Sequence, residues 1–175
     1  MAAGRILTTH TGSLPRPDDL IQIMWAKGDG IPVDQAALDE RVASAVREIV
    51  GKQVAAGVSV VNDGEMSKPS YATYVKDRLH GFGGESIENY FFQDLEDYPK
   101  SKAIVAANPG RKKRTAPACN GPITVRDEEA AALDMVNLKN AVDRDTVAGT
   151  FSSAASPGVV SIFFGNEYYK TDEEY

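Results

Sequence analysis

Residues 34–62 decide most of what this chain can become. Leu38, Val42, Ala45, Val46, Ile49, Val50 and Val54 recur at intervals that line up one apolar face of a helix over about 34–56. Asp34 is placed to accept from the free N–H groups of the first turn, and Gly57 to close the helix in the left-handed conformation. The strand-like run Val58-Ser59-Val60-Val61-Asn62 begins at the next residue. A helix that turns straight into a strand is an αβ unit whose short connection forces the two to pack together.

Units of the same kind lie on both sides. Arg5-Ile6-Leu7-Thr8 reads as a strand running into Thr9-His10-Thr11-Gly12-Ser13-Leu14-Pro15-Arg16-Pro17. A helix over 18–25 follows, with Asp18 as candidate cap, and Gly28-Asp29-Gly30-Ile31-Pro32 breaks it. A further helix is predicted over 71–79, ended by Gly81-Phe82-Gly83-Gly84. Residues of about 83–115 read as a long excursion, with Tyr90, Phe91, Phe92 and Tyr98 followed by Arg111-Lys112-Lys113-Arg114. Ala116-Pro117-Ala118-Cys119 predicts a third strand running into the turn Asn120-Gly121-Pro122-Ile123-Thr124, and a helix follows over about 127–143. Thr146–Phe151 predicts a fourth strand, ending in Ser152-Ser153-Ala154-Ala155-Ser156-Pro157-Gly158.

Strands alternating with helices, each strand ending in a polar Gly, Pro or Ser turn, describe a parallel βα architecture. The expectation is one domain over 1–175, with parallel strands near 5–10, 58–62, 116–119 and 146–151 adding in chain order. Folds of this kind carry their chemistry at the C-terminal rim of the sheet. The first turn offers backbone N–H groups and the Ser13 hydroxyl to a carboxylate there, and the turn after residue 62 offers Asp63 and Glu65.

The totals exclude several classes. At 175 residues and 42% hydrophobic the chain is long enough for a real core. A net charge of −6 argues against a general nucleic-acid binder. No apolar run approaches the ~18 residues of a membrane helix, and Met1-Ala2-Ala3-Gly4-Arg5 lacks the apolar core of a signal peptide. Cys119 is the single cysteine, so no internal disulfide forms, which fits a cytoplasmic setting. With His10, His80 and Cys119 as the only imidazoles and thiol, and no Cys-x-x-Cys, His-x-Cys or His-Glu-x-x-His spacing, the chain lacks a complete zinc set of its own.

The runs Thr-His-Thr-Gly-Ser-Leu-Pro-Arg-Pro, Val-Asn-Asp-Gly-Glu-Met, Asn-Gly-Pro-Ile-Thr and Ala-Ala-Ser-Pro-Gly, in that order, resemble the cobalamin-independent methionine synthase family. They look most like its single-barrel members, which share a (β/α)8 TIM barrel with uroporphyrinogen decarboxylase. The resemblance implies a half-barrel here, the first four βα units. By the same resemblance Gly12 and Ser13 match the contact to the substrate carboxylate, and Glu65 matches the glutamate that binds the substrate amino group. Asn120, Gly121, Pro122 and Thr124 match the turn beside the pocket. The family's zinc ligands lie in the second half of the barrel, so the resemblance implies zinc held outside this chain. A second polypeptide would supply that half, with a homo-oligomer as the fallback.

The candidate substrate-binding residues are thus His10, Gly12, Ser13, Asp63, Glu65 and Asn120. Each has a plainer alternative. Ser13 equally suits a tight turn whose hydroxyl caps the next helix, Asp63 and Glu65 are solvated loop acids or helix N-terminal charges, and His10 is either at the rim or a hydrogen-bonded core histidine. Cys119 reads as a buried apolar thiol, and Lys68, Tyr71 and Tyr74 as pocket-edge candidates. The 111–114 cluster is a solvated basic loop or an attractor for an anionic tail. The leading expectation is the substrate-anchoring part of a zinc-dependent alkyltransferase acting on a small thiol like homocysteine or coenzyme M. The competing one is a metal-free, homo-oligomeric binding or regulatory protein. Metal-free decarboxylation is disfavoured by the lack of clustered arginines at the strand ends.

Overall fold

A computed structural model describes residues 4, 6–70, 73–84, 95–106 and 117–175. Arg5, Tyr71, Tyr90, Phe91, Phe92, Ala116 and the basic cluster 111–114 lie outside the described residues. In chain order the elements are α1 (Asp18–Gly28), α2 (Gln35–Ala55), β1 (Val60–Asn62), a 3-10 turn (Thr73–Asp77), β2 (Leu79–Gly83), α3 (Pro99–Ala106), β3 (Ala118–Val125), α4 (Glu128–Ala141), β4 (Gly149–Phe151) and α5 (Pro157–Phe163). They fall into two compact units, Met1–Tyr74 with Asp127–Ala154, and Val75–Arg126 with Ala155–Tyr175.

The first unit is built on α2. The Asp34 carboxylate accepts from the Ala37 N–H at 3.1 Å and starts the helix. Gly57, at φ +80°, ends it. Its N–H donates to the Val54 carbonyl at 2.9 Å and that of Val58 to Gln53 at 3.0 Å, the paired bonds of a Schellman cap. The buried face, Leu38, Val42, Ala45, Val46, Ile49 and Val50, packs with Leu20 and Met24 of α1, Val61 of β1, Met66 and Leu138 of α4 into one core. α1 starts without a side-chain cap, because Pro17 holds the capping position and Asp18 lies inside the first turn. Asp18 is therefore no cap; with Asp19 it puts negative charge at the positive end of the helix dipole.

Parallel pairing in this unit centres on β1. Thr9 bridges Val60 in parallel, and β1 pairs in parallel with β4, with Val60 opposite Gly149 and Asn62 opposite Phe151. The Val60 N–H donates to Thr8 on one flank, while the Ser59 carbonyl accepts from Ala148 on the other, so β1 is the middle strand. The four-stranded order in chain sequence does not form: the 146–151 strand sits directly beside 58–62.

The segment that sequence places between them belongs to the second unit. There β2 and β3 pair antiparallel, Leu79 opposite Val125 and Gly83 opposite Ala118. Of the expected 71–79 helix, the described residues form a short 3-10 turn, Thr73–Asp77, and Leu79 already opens β2. Asn120-Gly121-Pro122 does not end a strand but lies within β3, where the register slips between His80 and Phe82. The reason is local: Pro122 has no N–H to give a ladder, so turn-forming residues are absorbed as a bulge. Gly81 opposes it at φ +97°, where a Cβ would stand 2.8 Å from the carbonyls of Gly121 and Pro122. Cys119 also bridges Asn166 in parallel, and Phe82 packs on Phe164 with centroids 4.9 Å apart.

Candidate functional site

The loop leaving β1 is held by its own polar side chains. Asn62 Oδ1 accepts from the Gly64 N–H at 2.8 Å, and Asp63 Oδ1 from the Glu65 N–H at 3.0 Å, two successive Asx turns. Gly64 is required at φ +60°, since a Cβ would come within 2.9 Å of the Met66 methyl and 3.2 Å of Ile49 and Leu14. Glu65 follows at φ +58°, among the described residues the one non-glycine in the left-handed region. That conformation costs a side-chain-bearing residue roughly 1–3 kcal/mol and persists only where the surroundings fix it.

The surroundings do fix it. The Arg16 guanidinium donates to the Glu65 carbonyl from Nε at 3.2 Å and Nη2 at 2.8 Å, and from Nη2 also to the Lys68 carbonyl. The Leu14 N–H donates to the Gly64 carbonyl at 3.1 Å. The Thr-Gly-Ser-Leu-Pro-Arg segment is thereby laid along the loop after β1. Asn62 adds a bond from Nδ2 to the His10 carbonyl at 2.6 Å. From beneath, the buried Gln53 amide on α2 pairs both ways with Asn62, accepting its N–H at 3.1 Å and donating to its carbonyl at 2.8 Å.

Three ionisable residues are buried together here: Asp63 at 3% exposure, Glu65 at 4% and Lys68 at 3%. The Lys68 ammonium lies 3.5 Å from Asp63 Oδ2 and donates to Ser152 Oγ at 3.2 Å and to the Ser153 carbonyl at 2.5 Å. Ser152 in turn donates to Asp63 Oδ2 at 2.7 Å. Asp63 is thus fully engaged, while the Glu65 carboxylate has no hydrogen-bond or ionic partner among the described residues. His10 is half-buried and its Nε2 is enclosed without a hydrogen-bond partner among the described residues. Gly12 stands at φ +94° in open space and Ser13 is exposed.

Of the six candidates, His10, Gly12, Ser13, Asp63 and Glu65 belong to the first unit. Asn120 belongs to the second, exposed on β3 with its amide beside Gly83. Arg16, Gln53, Ser152 and Ser153 emerge as site residues from the structure. Gln53 had a signal: a polar residue four positions after Ile49, on the apolar phase of α2. Among the described residues no three His, Cys, Asp or Glu side chains come together as a metal would need. Those donors do not fit a zinc site. A groove of about 440 Å³ lies elsewhere, between Leu138 of α4 with Val142 just past its end and the start of β4 at Gly149 and Thr150, away from the end of β4 that carries Ser152.

Helices alternating with parallel strands, and a polar hydrogen-bonded loop at the C-terminal end of β1, give this unit a mixed α/β character. No family model matches the chain, and no curated protein matches it significantly. Solved structures do. One is a B12-independent methionine synthase from Shewanella sp. W3-18-1 in complex with selenomethionine, which aligns over 95% of this chain at 19% sequence identity and a TM-score of 0.65. The alignment spans 42% of that protein, so this chain corresponds in fold to less than half of its length. The chain has the mixed α/β fold of that portion. Among its described residues no helix is long and apolar enough to cross a membrane.

Proposed function

We propose that this chain is the substrate-anchoring part of a methionine synthase-like thiol alkyltransferase. One observation carries the reading: Glu65, a buried residue at a strand end, is held in a left-handed backbone with a carboxylate that has no partner among the described residues. A carboxylate that no protein group engages is free to accept a charge-assisted bond from a ligand. An ammonium group is the natural complement, which favours a homocysteine-like thiol over a coenzyme M-like one. Ser13 and the open N–H groups around Gly12 would take the carboxylate of the same ligand. Holding both ends of an amino acid leaves its sulfur as the mobile, reacting end and converts collision into positioning.

Zinc, where the reaction uses it, belongs to ligands outside this chain, supplied by a second polypeptide or another copy. Apolar side chains left uncovered at the sheet margins support such a partner: Ile6 is 87% exposed, and Leu133, Met135 and Val136 are exposed on α4.

Calorimetric titration with L-methionine and with its amine-free analogue 4-(methylsulfanyl)butanoate tests the anchor. The wild-type chain is expected to prefer methionine by about tenfold or more, the worth of one charge-assisted bond. Glu65→Gln should erase that preference. Equal binding of the two probes by the wild-type chain would remove the reading.

A further inference from the structure

We infer that Lys68 is a positioning residue for Glu65, acting through Asp63, and that it sets how strongly the rim discriminates for an ammonium-bearing ligand. The inference rests on the reading of Glu65 as the ammonium acceptor. Lys68 does not face the ligand in this arrangement. Its side chain is 4% exposed, as is that of Asp63, and its ammonium is spent on Asp63 Oδ2, Ser152 Oγ and the Ser153 carbonyl. Burying an ammonium costs several kcal/mol unless its protons are used. Here two hydrogen bonds and the ion pair with Asp63 compensate it, and the Tyr74 ring lies 5.7 Å from Nζ.

The arrangement reaches Glu65 in one further step. Ser152 donates to the same Asp63 oxygen that Lys68 approaches, so ammonium, hydroxyl and carboxylate close a ring between the ends of β1 and β4. The other Asp63 oxygen accepts the Glu65 N–H. Arg16 holds the Glu65 carbonyl. The peptide groups on both sides of the Glu65 Cα are therefore fixed, and the direction of its side chain with them.

Charge bookkeeping points the same way. Lys68 neutralises Asp63 and leaves Glu65 as the unpaired anion. Without Lys68, Asp63 would be a second unpaired carboxylate two residues away. It would be free to turn, release the Glu65 N–H and compete for the ligand's ammonium.

The same two probes, titrated into the full chain, decide the matter. In Lys68→Met the preference for L-methionine over 4-(methylsulfanyl)butanoate is expected to fall from about tenfold to within about twofold, while binding of the amine-free probe changes by less than about twofold. A purely structural role would weaken both probes together, and that result, or an unchanged preference, would overturn the inference. If Lys68→Met does not fold, Ser152→Ala carries the test. Losing that one hydroxyl should cut the preference about threefold, and an unchanged preference again overturns the idea. Survival of the preference in Glu65→Gln would instead remove the Glu65 reading, and this inference with it.

Discussion

Glu65 combines a left-handed backbone with a carboxylate that has no partner among the described residues. Neither serves the fold. Glu65→Gly should therefore stabilise the chain, by about 0.5–1 kcal/mol in urea unfolding, while abolishing the methionine preference. A destabilised Glu65→Gly would mean that the carboxylate is a structural element. The sequence showed Asp63 and Glu65 as a pair of strand-end acids, but not that one is engaged and the other open. That difference depends on Lys68 and Ser152, which are 84 residues apart. Local pattern carries no trace of a contact so distant. Gln53 was visible in principle, because an amide on the buried phase of a helix needs a partner.

Among the elements, α2 with its Asp34 cap and Gly57 turn was legible because each signal is local and agrees with the next. β3 was misread because Asn, Gly and Pro mark turns whether these close a strand or bulge within one. Only the partner strand, with Gly81 opposite, distinguishes the two. The second unit has a titration signature of its own. Burial raises the Cys119 thiol above its ordinary value. Burial also raises the Tyr175 hydroxyl, helped by Cys119 beside it, and that hydroxyl donates to the Phe164 carbonyl at 2.8 Å. Both groups lose their protons more easily once unfolded, so the stability they contribute is intact below about pH 8.5 and declines as pH rises past the ordinary thiol and phenol values. The urea midpoint should fall between about pH 8.5 and 10.5, and Cys119→Ala should remove the earlier part of the decline. A midpoint flat over that range in the wild-type chain would refute this.

For the whole molecule, the parallel strands have uncovered margins, with Ile6 and Leu7 exposed beside the first and Met135 and Val136 exposed on the helix before the last. Parallel sheets are ordinarily covered on both faces. Size-exclusion chromatography with light scattering should show the isolated chain associating, and a well-behaved monomer of 18.8 kDa would defeat the proposed partner. The alternation of strands and helices announced the βα architecture. It could not announce that β4 pairs with β1, because strand order is a property of the closed sheet and not of spacing along the chain.

That pairing also sets a schedule. The residues that complete the Lys68 ammonium lie 84 and 85 positions downstream, beyond the whole β2–β3 ribbon. Closing a loop of that length costs about 4 kcal/mol of chain entropy before any contact repays it. During synthesis, α2 and β1 emerge from the ribosome with a lysine and an aspartate that have each other but not Ser152. The loop after β1 is then the last part of the first unit to be finished, and a nascent chain interrupted before Ser152 would have its core helix but no partner hydroxyl for Lys68 and Asp63.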